Sequence, residues 1–147
     1  MKAFRFRLQS ILDLRHREMN DALRAFGEAT RAREVMEAQL NRQTQARDSA
    51  LATWTETRTK TFHVAQEQHG QIALAAVEEE RRALGQQVGT ARKKELQKRQ
   101  AYLQAKVRLD AFTKLKAKAE DDFQRELRRK EEQELEDVVN ARWSRAV

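Results

Sequence analysis

The chain has 147 residues, of which 36% are charged and 39% hydrophobic, and it contains neither cysteine nor proline. The absence of cysteine excludes disulfides and thiolate metal sites and suits a reducing compartment. So few apolar residues cannot fill a compact core, whereas long helices that share a narrow seam need only about two apolar positions in seven.

The first residues alternate apolar and basic side chains, since Phe4, Phe6 and Leu8 are separated by arginines. This spacing is typical of extended backbone. In one interpretation it is an extended lead-in, and a capping box at Ser10 and Asp13 starts the helix. In the other, which we favour, the helix begins at about residue 3, because its apolar face then continues the seam that follows.

The next segment has a sustained heptad pattern. Alternating steps of four and three from Leu8 to Trp54 meet apolar residues at ten of fourteen positions. Three of the remaining positions are Arg15, Arg33 and Arg47, whose stems can lie along a seam while the charge stays outside it. The pattern predicts a first helix at about residues 3–58 in a coiled coil.

The heptad pattern fails in the middle of the chain. Threonine occupies every second position from Thr53 to Thr61, and β-branched residues are mediocre helix formers. Gly70 follows shortly afterwards. We therefore place a chain reversal at about residues 55–70, which predicts an antiparallel helical hairpin.

A second heptad pattern runs from Leu74 to Glu126, with apolar residues at eleven of sixteen positions. It predicts a second helix at about residues 71–141, with a shift of register after Phe123. The fold is therefore predicted to be all-α, a single coiled-coil hairpin domain over residues 1–147. With the turn near residue 65, position n faces about 130 − n, and the last twenty or so residues have no partner.

Charge is strongly banded along the second helix. Arg92–Lys118 contains ten basic and two acidic residues, whereas Ala119–Ala141 contains nine acidic and four basic residues. Banding of this size favours electrostatic docking without identifying the partner.

No pattern of catalytic, cofactor-binding or metal-binding residues is present. His63, Glu67 and His69 lie close together, but their spacing is not that of a zinc site, and solvated turn residues are the better interpretation. We therefore predict a non-enzyme without cofactor or small-molecule substrate. The longest aliphatic run, Ile72–Val77, is far shorter than a membrane span, so we expect a soluble, cytoplasmic protein with no direct membrane insertion.

The net charge of +7 raises the alternatives of a nucleic-acid binder or a basic membrane-surface binder. Basic residues are mixed with acidic ones over both helices, and no aromatic stacking platform accompanies them. We therefore expect no nucleic-acid partner. A generic structural coiled coil is a further alternative.

The beginning and the tail of the chain resemble the FliJ family of flagellar type III export proteins. Family members commonly begin with an F-x-F-x-L-x-x-[IL]-L-x-x-R pattern, and "FRFRLQSILDLRHRE" is similar to it. The tail "LRRKEEQELEDVVNAR" resembles the family's ending, in which basic residues precede a leucine and acids. The residues that fill the two patterns are Phe4, Phe6, Leu8, Ile11, Leu12, Arg15, Arg128, Arg129, Lys130, Glu131, Gln133 and Leu135.

The resemblance implies a stalk-like coiled coil of the flagellar export apparatus. It implies a cytoplasmic location, peripherally associated with the inner membrane at the flagellar base. The implied partners are the hexameric export ATPase, whose assembly and activity the family promotes, the cytoplasmic domain of the export gate, and export chaperones. The corresponding stalk of an injectisome type III system is the nearest alternative.

By motif match, the resemblance assigns residues to two partner-binding regions. The region that faces the ATPase comprises Phe4, Phe6, Leu8, Arg15, Arg128, Arg129, Lys130 and Leu135. The region that faces the gate lies near mid-hairpin and comprises Gln39, Leu40 and Trp54.

Overall fold

The computed structural model describes residues 3–60 and 63–146. This part of the chain forms two helices, α1 (Gln9–Lys60) and α2 (Val64–Ala146), and contains no strand. The two helices pack against each other, which confirms the predicted all-α hairpin. Contacts divide the chain into two compact units, a terminal unit (Met1–Asn20 with Leu103–Val147) and a central unit (Asp21–Tyr102).

In both units α1 and α2 run in opposite directions. In the terminal unit the ring of Phe4 packs against that of Phe123, with 5.6 Å between their centroids. In the central unit Phe26 lies 6.1 Å from Tyr102 and Arg47 forms an ion pair with Glu78. In these three pairs the residue on α2 lies two to five positions before the one that 130 − n gives.

Burial follows the two heptad patterns. Thirteen of the fourteen positions from Leu8 to Trp54, and fifteen of the sixteen from Leu74 to Glu126, are buried or half-buried. The four most buried apolar side chains all lie on these patterns, with exposures of 3 to 7%: Leu12, Ala29, Val88 and Leu109. The hydrophobic contribution to stability is therefore concentrated in one narrow seam.

The start of α1 corrects the interpretation that we favoured. The helix begins at Gln9, and residues 3–6 are non-helical. The backbone N–H of Gln9 donates to the carbonyl of Phe6 at 3.1 Å, and that of Leu12 donates to Leu8 at 2.9 Å. Ser10 lies inside the helix, so the capping box does not form there. The side chain of Gln9 instead donates to Asp13 at 2.9 Å.

The threonine-rich segment does not end α1 early. Its hydroxyl groups donate to carbonyl oxygens one turn back, as Thr55 does to Leu51 at 2.8 Å and Thr57 does to Thr53 at 2.9 Å. Such bonds satisfy the hydroxyl within a helix. The helix continues to Lys60, two residues beyond the predicted end.

α2 begins at Val64 and not at about residue 71, and it ends at Ala146 and not at about residue 141. Gly70, at the end of the predicted turn region, lies inside α2. A single glycine costs a helix only about 1 kcal/mol relative to alanine, so it does not by itself end one. Across residues 3–60 and 63–146, neither helix offers a stretch of the length and apolarity that a bilayer crossing requires.

Candidate partner-binding surfaces

The lead-in before α1 explains the alternating pattern at the start of the sequence. Phe4 and Phe6 are half-buried, whereas Arg5 and Arg7 between them are exposed. Successive side chains of extended backbone point to opposite sides, so the two phenylalanines share one side and the arginines the other. On the side that the phenylalanines share, Phe4 packs against Phe123 of α2. The lead-in therefore extends the seam beyond the start of α1.

Arg15 is held within the terminal unit. Its guanidinium carbon lies 5.7 Å from the centre of the Phe112 ring, and its Nη1 donates to Glu18 at 2.8 Å. Its Nε is buried and has no hydrogen-bond partner among the described residues. Arg15 and Phe4, which share one motif, therefore both make contacts across the seam.

The other half of the predicted ATPase-facing set has no such contacts. Leu127 is the last half-buried residue of α2, and every side chain from residue 128 to residue 146 is exposed. Arg128, Arg129, Lys130 and Leu135 all lie in this segment, which we call the exposed end of α2. No charged side chain in it forms an ion pair within the part of the chain that the structure describes.

In the central unit, arginines of the seam are paired with acids of the opposite helix. Arg33 donates to Glu95 across the seam and to Glu37 on its own helix at 2.8 Å. Glu37 also accepts from Arg92 at 3.0 Å, so four charged groups alternate in sign. Farther along, Arg47 donates to Glu78 at 2.9 Å.

These hydrogen bonds stabilise the charged forms of both partners. The hydrogen bond from Arg92 and the charge of Arg33 hold the pKa of Glu37 below its usual value. The hydrogen bond from Arg47 likewise lowers the pKa of Glu78. The hydrogen bond to Glu95 raises the pKa of Arg33. The heptad patterns predict the seam arginines but do not pair them with these acids, although Glu95 itself lies on the second pattern, close to the position that faces Arg33.

A cleft of about 560 Å³ lies beside the seam in the central unit. Gln39 lines it together with mostly uncharged side chains from both helices. The other lining residues are Arg42, Gln43, Glu80, Ala83, Leu84 and Gln87. Leu40, the neighbour of Gln39 in the predicted gate-facing set, is half-buried at a seam position. The structure therefore leaves Gln39 available at a concave surface.

Trp54, the third residue of that set, packs on the other helix near the turn. A Cβ atom at Gly70 would lie 2.5 Å from the indole Nε1, which is too close for any side chain to fit without movement. The guanidinium carbon of Arg58 lies 5.7 Å from the centre of the Trp54 ring. The Nη2 atom of Arg58 lies 3.4 Å from the Oε1 atom of Glu67. Gly70 is therefore required by this close approach and not by the turn itself.

The match to a known family covers nearly the whole chain. The model of the family described as "Flagellar FliJ protein" matches residues 4–147. This chain belongs to the FliJ family. The resemblance drawn from the two terminal patterns is therefore confirmed. No curated protein and no solved structure matches the chain at a significant level.

Membership of the FliJ family identifies a coiled-coil protein associated with flagellar type III export. The all-α hairpin agrees with that assignment, since both helices carry one apolar seam and charged outer faces. The family is a non-enzymatic component of the export machinery. The exposed surfaces of this chain are the places where a partner protein can dock.

Proposed function

We propose that this chain binds the hexameric export ATPase of the flagellar export apparatus through its terminal unit and promotes the assembly and activity of the ring. The supporting observation is the exposed end of α2, where the basic group Arg128, Arg129 and Lys130 precedes Leu135 without any partner in the described chain. Phe4, Leu8 and Arg15 then have an indirect role, because they hold α1 and the lead-in against α2. Phe6, half-buried beside them, lies in the same lead-in.

The experiment compares two triple variants with equal loss of charge. Arg128→Ala, Arg129→Ala and Lys130→Ala together should reduce stimulation of the export ATPase by about three- to tenfold, as expected when charges at the rim of an interface are removed. The steady-state rate of ATP hydrolysis by the ATPase measures it. Circular dichroism should show unchanged helicity, since the three side chains are exposed.

The control variant carries Lys93→Ala, Lys94→Ala and Arg99→Ala, which removes three exposed positive charges elsewhere on α2. It should stimulate the ATPase as the wild type does. Equal losses of ATPase stimulation in the two triple variants would mean that only the net charge matters, which would contradict the proposed site. Full activity in the first triple variant would contradict it as well.

We further propose that the central unit links the ATPase to the cytoplasmic domain of the export gate and to export chaperones. The cleft beside Gln39 supports this role, because a concave, largely uncharged surface suits a neutral partner surface. Within the proposed gate-facing set, Gln39 makes the contact, while Leu40 and Trp54 keep the two helices in place behind it. The location that follows is the cytoplasmic side of the inner membrane at the flagellar base.

Gln39→Arg tests the gate contact, because it brings a charge into the cleft. We expect weaker binding to the gate domain, measured by titration calorimetry, with unchanged stimulation of the ATPase. Gln45→Arg, at an exposed position six residues farther along α1, is the control. Equal binding by both variants would contradict the assignment of the cleft.

A further inference from the structure

The exposed end of α2 carries an apolar stripe made of Leu135, Val138, Val139 and Trp143. These side chains are 68%, 53%, 48% and 71% exposed. Their spacing of three, one and four residues places them on one face of a helix. The stripe has the spacing of an amphipathic helix face, but no other element of the described chain covers it.

Charges follow the stripe in a fixed order. Three acids, Glu131, Glu132 and Glu134, precede its centre by one to two turns, and Arg142 and Arg145 follow its centre by a similar distance. All five side chains are exposed. None of them forms an ion pair with any residue that the structure describes.

We propose that the stripe pairs with the same stripe of a second copy of this chain, in antiparallel orientation. A two-fold axis between Val138 and Val139 sets these valines of the two copies face to face, with Leu135 of each copy opposite Arg142 of the other. It also sets the acids of each copy beside Arg142 and Arg145 of the other. An interface of this kind uses one surface twice and is complementary to itself.

The charge order decides between the two possible orientations. Parallel pairing sets the three acids of one copy beside those of the other, and likewise the two arginines, which is unfavourable. Antiparallel pairing brings opposite charges together and keeps the apolar centre in register. The charges therefore favour one orientation, although the apolar residues alone would accept either.

The area available makes the dimer weak and reversible. Only the segment from residue 128 to residue 146 takes part, and short helical interfaces of this size fall below the range of stable complexes, about 1,200 Å² of buried surface. Leu135 and Trp143 lie at the two ends of the stripe and exclude water from the valines between them. This inference does not depend on binding to the ATPase, since it uses only features of the chain itself.

Sedimentation equilibrium of the full chain tests the pairing. The apparent mass should rise from 17.2 kDa toward twice that value between low and high micromolar concentrations. Val138→Glu should keep the chain monomeric throughout, because it buries a charge at the centre of the dimer. Asn140→Glu adds the same charge on another face of the same turn and should associate as the wild type does.

Two results of this experiment would overturn the proposal. A wild-type chain that stays monomeric at all concentrations has no self-pairing stripe. A Val138→Glu variant that still dimerises pairs through another surface. Circular dichroism of both variants checks that the helix is intact, and glutamate is a better helix former than valine.

Single cysteines test the orientation, since the natural chain contains none. A mixture of Leu135→Cys and Arg142→Cys chains should form disulfide-linked dimers faster than either variant alone, because these positions face each other across the two-fold axis. Parallel pairing predicts the reverse, with each variant linking best to itself. If a monomeric chain shows protection of the stripe only after the export ATPase is added, the occupant is the ATPase, and self-pairing is wrong.

Discussion

The central unit and the exposed end of α2 share one helix and one kind of pattern, but they differ in what covers it. In the central unit the apolar positions face α1, and Val88 is only 3% exposed. At the exposed end the same spacing leaves Leu135 68% exposed. An amphipathic face therefore indicates only that a helix has apolar side chains to bury. What covers them can be another part of the chain or another molecule.

The two regions also use charge differently. In the central unit the seam arginines Arg33 and Arg47 find acids on the facing helix. Beyond Leu127 arginines and acids lie near one another in sequence, but they form no ion pair in the described chain. Charges inside the hairpin thus fix how α1 and α2 align, whereas charges outside it remain available to a partner.

The largest expected effect comes from matched truncations of α2 within the terminal unit. Leu109→Ala should lower the free energy of unfolding by about 2 to 4 kcal/mol, because Leu109 is 7% exposed and leaves a cavity. Leu135→Ala should change it by less than about 0.5 kcal/mol. Urea unfolding followed by circular dichroism, at a low protein concentration, measures both. Equal losses would show that the two positions are covered alike.

A smaller effect is expected from alanine substitutions of two glycines in α2, which should differ from each other. Gly70→Ala forces the Trp54 indole away from the helix, since the added methyl group would lie within 2.5 to 2.9 Å of three of its atoms. Gly85→Ala meets nothing within 4 Å and should stabilise the helix by about 1 kcal/mol. In a Trp143→Phe background, Trp54 fluorescence should shift to longer wavelength for Gly70→Ala only. An unshifted spectrum would show that the close approach does not persist.

Charge reversal across the seam gives the next effect. Arg33→Glu should lower the melting temperature, because it sets a like charge against Glu95 and Glu37. Adding Glu95→Arg should recover part of the loss, since the pair is restored with its polarity exchanged. Exchanging Glu79 and Arg82, an exposed pair 3.8 Å apart on one helix, serves as the control and should change little. Additive losses in the double variant would mean that the two residues do not interact.

The smallest effect is the dependence of stability on pH. Glu37 and Glu78 have a pKa below the ordinary value of 4.5 in the folded chain, so the unfolded chain takes up protons first as the pH falls. The contribution of these two carboxylates to the free energy of unfolding is complete above pH 4.5. It is lost as the pH falls through their pKa in the folded chain. In the variant Glu37→Gln with Glu78→Gln, the melting temperature should fall less between pH 6 and the acid range. A parallel fall in both proteins would contradict the pKa shifts.

The heptad spacing predicted the fold class, the reversal and nearly every seam residue, because burial on a long helix follows its own periodicity. It failed at the helix boundaries. Near the reversal local propensity was a poor guide, since threonines bonded back to the turn before them and Gly70 was accommodated inside α2. At the start of α1 the local alternation was the better guide, since the lead-in is extended although the seam pattern could continue through it. Of the candidate site, the sequence located the motif residues but did not separate those that face inward, such as Phe4, from those that face outward, such as Arg128.

By itself the sequence determined that this chain is two long amphipathic helices of the FliJ family with one seam, since apolar spacing and the terminal motifs are properties of the order of residues. Only the tertiary structure decided which of these residues are buried between α1 and α2. Pairing depends on where α1 ends and how it aligns with α2, and these are set by distant contacts such as those of Arg33 with Glu95 and of Phe4 with Phe123. The surface available to a partner consists of the patterned residues of α2 that α1 does not cover.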